Sequence, residues 1–458
     1  MERSSPISRR QLLGAGAVLL TSFPPALRAQ SENGLLEATL EANSSWVRLG
    51  ANYANLFTYN GQVPGPRLEV RAGDTVRLQF VNRLAEASNL HFHGLHISPT
   101  GNADNVFLEV QPNESQTYEF TIPKDHRPGT YWYHPHLHGS SARQVSRGLA
   151  GLLVLRGEMD EIPEIAAATE HFLVLKDWAL DRNGEVVEPS MMQRMTGREG
   201  SVITVGEAVN PKFEIQTGGM LRFRVLNASP SRFYRLKIEG HPMHVIASDG
   251  GPLPAPVAVD ELLLSPGERA DLLVQGQCDS GTYRLLNLPY NRGGMGMMGG
   301  PSRPTEPETL ATMIYEGSME VALNLPQSIT SVEPLPPSDL PLRRFVLSES
   351  RGASFQINGR AFDHRRVDTQ VKLGTIEDWE IVNQGTMDHP FHLHTNSFQV
   401  LDTQGQPARA WKDVMLVPAG QKRRFRVRFA DFEGKAVYHC HILDHEDLGM
   451  MGVIEFLP

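Results

Sequence analysis

Gly73-Asp74-Thr75-Val76-Arg77-Leu78-Gln79-Phe80-Val81-Asn82 runs from a glycine turn through alternating apolar side chains to a closing asparagine. A period of two marks a strand with one buried face. The pattern returns as Gly218-Gly219-Met220-Leu221-Arg222-Phe223-Arg224-Val225-Leu226-Asn227 and as Gly374-Thr375-Ile376-Glu377-Asp378-Trp379-Glu380-Ile381-Val382-Asn383, so the copies start 145 and 156 residues apart. Asn60-Gly61, Val205-Gly206 and Asn358-Gly359 precede the three copies, and segments from Pro112 to Phe120, Pro266 to Val274 and Pro418 to Val427 follow them. Gly129-Thr130-Tyr131-Trp132-Tyr133-His134, Gly281-Thr282-Tyr283-Arg284-Leu285-Leu286 and Gly434-Lys435-Ala436-Val437-Tyr438-His439 close each unit. Four matches in one order mark an array. They predict an all-β chain of three tandem β-sandwich domains over 30–158, 165–318 and 340–458, the last entered through a linker carrying Pro326, Pro334, Pro336, Pro337 and Pro341.

Composition agrees with that plan. The chain has 458 residues with 41 Gly and 32 Pro, and units of about 100–200 residues are the usual domain size. No stretch after residue 30 is long and apolar enough for a bilayer span, so no membrane role is expected. A net charge of −9 argues against nucleic acid as a partner. Residues 1–29 differ from the rest: Ser8-Arg9-Arg10-Gln11-Leu12-Leu13 opens an apolar run to Leu20, followed by Pro24-Pro25 and Ala29. This is the pattern of a twin-arginine signal peptide, and a periplasmic or extracellular destination is expected.

Ten of the 17 histidines fall in four short motifs: His91-Phe92-His93-Gly94, His136-Leu137-His138-Gly139, His389-Pro390-Phe391-His392-Leu393-His394 and His439-Cys440-His441-Ile442-Leu443-Asp444-His445. On a strand, residues i and i+2 share a face, so each His-X-His pair aims two imidazoles at one place. Cys440 then points the other way, and a single tripeptide serves two metal sites. One thiolate, two imidazoles and a weak thioether form the blue-copper set. Cys440, His445 and an upstream histidine supply three of these, and Met450 is placed to be the fourth. Eight imidazoles remain on the other side, enough for three coppers that bind and reduce dioxygen; a zinc hydrolase needs only one cluster of three or four ligands. Cys278, in a polar turn, reads as an incidental unpaired thiol. The middle unit has Leu286-Asn287-Leu288 in its closing element and is expected to hold no metal, with His241 and His244 structural.

The four motifs, their order and the three-domain plan resemble the multicopper oxidases, particularly bacterial three-domain laccases and cuprous oxidases, over nearly the whole chain after residue 29. The resemblance implies cupredoxin-like Greek-key domains and four coppers. His389, Cys440, His445 and Met450 would hold the type 1 ion, and His91 and His392 the type 2 ion. His93, His136, His138, His394, His439 and His441 would hold the type 3 pair. It further implies one-electron oxidation of phenols, aromatic amines or Cu(I), coupled to reduction of dioxygen to water, by a chain expected to be a monomer. A copper-sequestering protein or a cell-envelope scaffold of the same fold is the alternative. Acids placed like Glu446 and Asp104 relay protons or tune hydration in this family, and Asp447 follows Glu446. Asp388 either orients a donor or supports His389. His96, His126, His134, His171 and His364 match no ligand position and read as supporting or surface residues. The sequence departs from the family at Thr395-Asn396-Ser397, where many members carry a glycine-histidine pair. Met295, Met297 and Met298 lie among glycines, and their soft sulfurs would suit Cu(I).

Overall fold

A computed structural model describes residues 28–293, 305–350 and 354–458. The leader expected over residues 1–29 falls outside these apart from Arg28 and Ala29, and Met295, Met297 and Met298 fall outside altogether. Arg28–Gln30 forms a short strand parallel to Gly65–Arg71.

The strands form three pairs of sheets in chain order. In the first unit, a sheet of Asn52–Tyr59, Leu35–Leu49, Thr75–Asn82 and Ser115–Thr121 shares one core with a sheet of Arg28–Gln30, Gly65–Arg71, Gly151–Arg156, Gly129–His134 and His91–His93. The middle unit pairs a six-stranded sheet, centred on Met220–Asn227 and Arg269–Gln275, with a five-stranded one containing Tyr234–Ile238 and Thr282–Leu288. The last unit pairs two five-stranded sheets, centred on Thr375–Asn383 and on Gly434–Cys440. This is an all-β chain of cupredoxin-like sandwiches.

The recurring strand is built alike each time. It lies parallel to an earlier strand of its unit, as at Leu40↔Phe80, Leu173↔Val225 and Phe345↔Ile381. Its closing asparagine makes the same bonds in all three units. Asn82 Nδ2 donates to the carbonyls of Glu86 and Val110, Asn227 Nδ2 to Arg232 and Leu264, and Asn383 Nδ2 to Met387 and Val417. Each asparagine also accepts from the amide two residues on. The asparagine thereby satisfies loop backbone that would otherwise be buried without partners. Asn60 and Asn358 take φ of 54° and 53°, followed by Gly61 and Gly359 at 75° and 73°, the left-handed pair of a tight hairpin.

One expectation changes. Thr75–Asn82 alternates half-buried with buried residues, whereas Met220–Asn227 is buried throughout. Its second face packs toward the first unit, where Trp132, Leu152, Val174 and Leu226 share a cluster. Arg222 and Arg224, which alternation would place in water, are instead paired with Asp160, Glu170 and Asp271. Pairing is what makes such burial tolerable. Among the described residues, no helix is long and apolar enough to cross a membrane.

Candidate metal centre

Two hairpin-like strand pairs build the site. His91–His93 pairs with Gly129–His134, setting His91 opposite His134. In the last unit, His389–Leu393 pairs with Gly434–Cys440, setting His392 opposite His439. The matching pair in the middle unit, Tyr234–Ile238 with Thr282–Leu288, carries no histidine.

Alternation along His439-Cys440-His441 sends its three side chains to three groups. His439 meets His136 and His394, with its Nε2 3.1 and 3.2 Å from theirs. His441 meets His93 and His134. Cys440 faces away, its Sγ 3.3 Å from His389 Nδ1 and 3.8 Å from His445 Nδ1. A further group joins His91 and His392 with His93. All these side chains are buried, as is Met450, whose backbone carbonyl accepts from the Cys440 amide.

The chemistry of the donors fits a metal. His91 Nε2, His93 Nδ1, His134 Nε2, His392 Nε2 and both nitrogens of His441 are buried without hydrogen-bond partners. Buried polar atoms left bare in this way require another partner. Burial, reinforced by neighbouring imidazoles, lowers the pKa of His91, His93, His136, His394, His439 and His441, and burial brings His392 to about 4. The rings are therefore neutral, which is the ligating form. Burial pushes the Cys440 thiol up, so a thiolate there needs a cation beside it.

The opposite ring nitrogens are tied down. His91 Nδ1 donates to Asp104 at 2.9 Å, and Asp104 also accepts the Phe92 amide. Burial raises Asp104 to about 8. His392 Nδ1 donates to the Asp413 carbonyl at 2.8 Å, and His93 Nε2 to the Asp413 carboxylate at 3.0 Å. Glu446 is fully buried, with Oε2 3.2 Å from His439 Nδ1 and Oε1 3.7 Å from His136 Nδ1. Burial, then the charge of Asp447, raises it well above the usual range. Asp447 accepts from the amides of Gly139, Ser141 and Ala142, and burial lifts it to about 7.

Of the expected ligands, the structure brings the histidines and Cys440 together with one exchange. His138 is exposed, its ring against Phe362, and it joins none of these groups. His134, set aside as a supporting residue, stands in its place. The strand ends at His134, and both His136 and His138 lie in the chain beyond it, where alternation no longer decides facing; His136 stays buried while His138 sits in an exposed turn. Asp388 supports the local chain instead of an imidazole: its carboxylate takes the Tyr290 hydroxyl and the Ala419 amide. Glu349, not foreseen, lies 3.5 Å from His389 Nε2. His241 is satisfied by the Glu239 carbonyl and the Tyr315 hydroxyl, with Cys278 unpaired 4.0 Å from it. Thr395 adopts φ of 66°, the left-handed region a glycine would occupy freely.

A thiol with two imidazoles, one peptide away from eight more imidazoles, defines a copper protein built to pass electrons. The chain belongs to the multicopper oxidase family, whose models match residues 42–160, 169–318 and 335–457. It is 30% identical over 447 residues to the multicopper oxidase mco of Staphylococcus aureus, covering 95% of this chain and 92% of that one. It is 28% identical to the cell division protein FtsP of Photorhabdus laumondii, over 95% of this chain and 92% of that protein. Among solved structures, a multicopper oxidase of Campylobacter jejuni described as a metallo-oxidase is 31% identical, with a TM-score of 0.81 over 94% of both chains. The laccase-like CueO of Ochrobactrum sp., with oxidase activity towards lignin model compounds, is 28% identical with a TM-score of 0.81 over 95% of this chain and 100% of that one.

Proposed function

We propose that this chain is a four-copper oxidase that takes single electrons from a reducing donor at the Cys440 site and delivers four to dioxygen at the histidine groups. The observation that carries it is the division of His439-Cys440-His441 between the two sites. His389, Cys440, His445 and Met450 would hold the type 1 ion, and His91 and His392 the type 2 ion. His93, His134 and His441, with His136, His394 and His439, would hold the type 3 pair, so His134 replaces His138 in the expected set. Bound copper supplies one-electron acceptance at the first site and dioxygen reduction at the second. The peptide backbone joins the two sites covalently. Glu446, beside His439 and His136, holds a proton within reach of the second site, and Asp104 fixes the His91 ring.

A scaffold would have no need of the bare nitrogens or of the thiol facing His389 and His445, and a copper store no need of the joining peptide. Purified, copper-loaded protein should contain four coppers per chain, show an intense blue thiolate band, and consume dioxygen with a phenolic or cuprous donor. Cys440→Ser should lose the blue band and donor oxidation while keeping copper at the histidine groups. A wild-type protein that takes up copper and never consumes dioxygen would return the reading to a store or scaffold.

Cuprous ion is the donor that one feature favours. The helix Met191–Thr196 lies against the type 1 site, and the Met195 carbonyl accepts from His445 Nε2 at 3.0 Å. Met195 is one turn from both Met191 and Met192, Met191 is exposed, and thioethers are soft ligands for Cu(I). The Glu349 carboxylate near His389 suits a cation as well. Replacing the three methionines by leucine should slow oxidation of Cu(I) and spare phenolic dyes; equal losses on both would leave a general laccase. The twin-arginine pattern at Ser8–Leu13 supports a proposed export to a periplasmic or extracellular place of action, which fractionation of cells carrying lysines at Arg9 and Arg10 tests.

A further inference from the structure

Among the described residues the middle unit brings no histidine to these groups, yet one of its charges reaches them. Arg269 opens the strand Arg269–Gln275 and is fully buried. Its Nη1 and Nη2 each donate to one oxygen of Asp413 at 2.7 Å, a two-pronged pair. Its Nε donates to the Thr130 carbonyl at 3.0 Å, and Nη2 also to the Asp249 carbonyl at 2.8 Å. Asp413 belongs to the last unit, and its Oδ1 accepts Nε2–H of His93, in the first, at 3.0 Å. One line of hydrogen bonds thus crosses all three units.

Resting on the copper reading above, we infer that Arg269 is a positioning residue for His93: by clamping Asp413 it selects which nitrogen of His93 faces the metal. A neutral imidazole has one N–H and one bare nitrogen, and a hydrogen bond to the first decides which is which. With Nε2–H tied to Asp413, Nδ1 is left bare, and His93 Nδ1 is a partnerless atom beside His134 and His441. His91, His134 and His392 instead leave Nε2 bare, so His93 must be held in the other tautomer. A carboxylate alone could turn its oxygens away or stand uncompensated in a buried place; a guanidinium fork prevents both. Lys412 answers the neighbouring acids, with Nζ 2.9 Å from Asp249 and 2.7 Å from Glu268, which leaves the Arg269 fork to Asp413.

The chain makes room for this pair. Gly94 follows His93 with φ of 87°, and a Cβ there would overlap Arg269 Nη2 and come within 2.6 Å of Asp413 Oδ2. Gly267, two residues before Arg269, likewise lets the middle unit close on His441, since a Cβ would lie 2.9 Å from that ring. The glycine that follows His91-Phe92-His93 is therefore explained by a side chain from another unit.

The test uses full-length, copper-loaded Arg269→Met, Asp413→Asn, the double variant and Arg269→Lys. Copper per chain, the blue type 1 band, the near-ultraviolet band of the type 3 pair, and thermal unfolding of the copper-free protein are read on each. Arg269→Met should keep the blue band and lose the type 3 band, with copper affinity at the histidine groups down at least about 10-fold. Asp413→Asn should do the same, and the double variant should be no worse than the poorer single one, as expected for two links of one chain. Arg269→Lys keeps the charge without the fork and should restore only part of the band; it carries the test if Arg269→Met does not fold. A full type 3 band in Arg269→Met or in Arg269→Lys overturns the inference, as does parallel loss of type 1 and type 3 signals. Wild-type protein that binds no copper would overturn the functional reading itself, a result separate from any of these.

Discussion

Glu446 Oε2 stands 3.2 Å from Nδ1 of His439, on the side of that imidazole away from the His136 and His394 nitrogens. A carboxyl so placed, fully buried and with its pKa raised chiefly by burial, keeps a proton next to the ring. Glu446→Gln conserves size and removes the transferable proton. Reoxidation of the reduced protein by dioxygen should slow by roughly 100-fold, while reduction of the type 1 site is unchanged. Stopped-flow traces at the wild-type rate would take Glu446 out of proton supply.

His134 and His138 give the clearest contrast between the two readings of the second motif. His134→Ala should abolish the type 3 band and dioxygen uptake and leave the blue band in place. His138→Ala, altering an exposed ring against Phe362, should leave copper content and turnover within about twofold of wild type. The reverse pattern would restore His138 to the ligand set.

Met450→Leu removes a weak electron donor and leaves a group of similar size in a fully buried place. The type 1 reduction potential should rise, because the cupric state loses more than the cuprous one. Redox titration of the blue band measures this, and a fall would point to another axial group.

Thr395 holds a β-branched side chain at φ of 66°, with its hydroxyl buried and unpartnered. Thr395→Gly should stabilise the protein by about 1 kcal/mol, the relieved strain exceeding the added freedom of the unfolded chain. Thermal unfolding of the copper-free protein checks it; a lower midpoint would show that the threonine packs better than its backbone suggests.

The fold was legible because it repeats. A turn, an alternating strand and an asparagine recur at intervals of a domain's length, and each asparagine proves to bind the same kind of loop carbonyls. The ligands were legible where strand alternation carries up to the motif, as at His439-Cys440-His441, whose first two residues end the strand Gly434–Cys440. They were misread where the motif lies wholly beyond its strand, because His136-Leu137-His138 looks like a same-face pair but is in a loop. The repeat held the correction: Gly129 to His134 aligns with Gly434 to His439, which puts His134 level with a histidine already assigned to the site. Arg269 and Asp413 carry no such signal. They lie 144 positions apart, and no periodicity within one unit can announce a contact made between units.

The alternation at His439-Cys440-His441 also makes this strand intolerant of any change in length. Gaining or losing one residue there would swap inside for outside, turning an imidazole toward His389 and the sulfur toward the histidine groups, so both centres would fail in one event. Loops elsewhere can drift in length while this tripeptide keeps strict frame. Change here is confined to replacement, one side chain at a time, and a chain that has lost the oxidase chemistry should show it first as substitutions at 439, 440 or 441 in a strand of unaltered length.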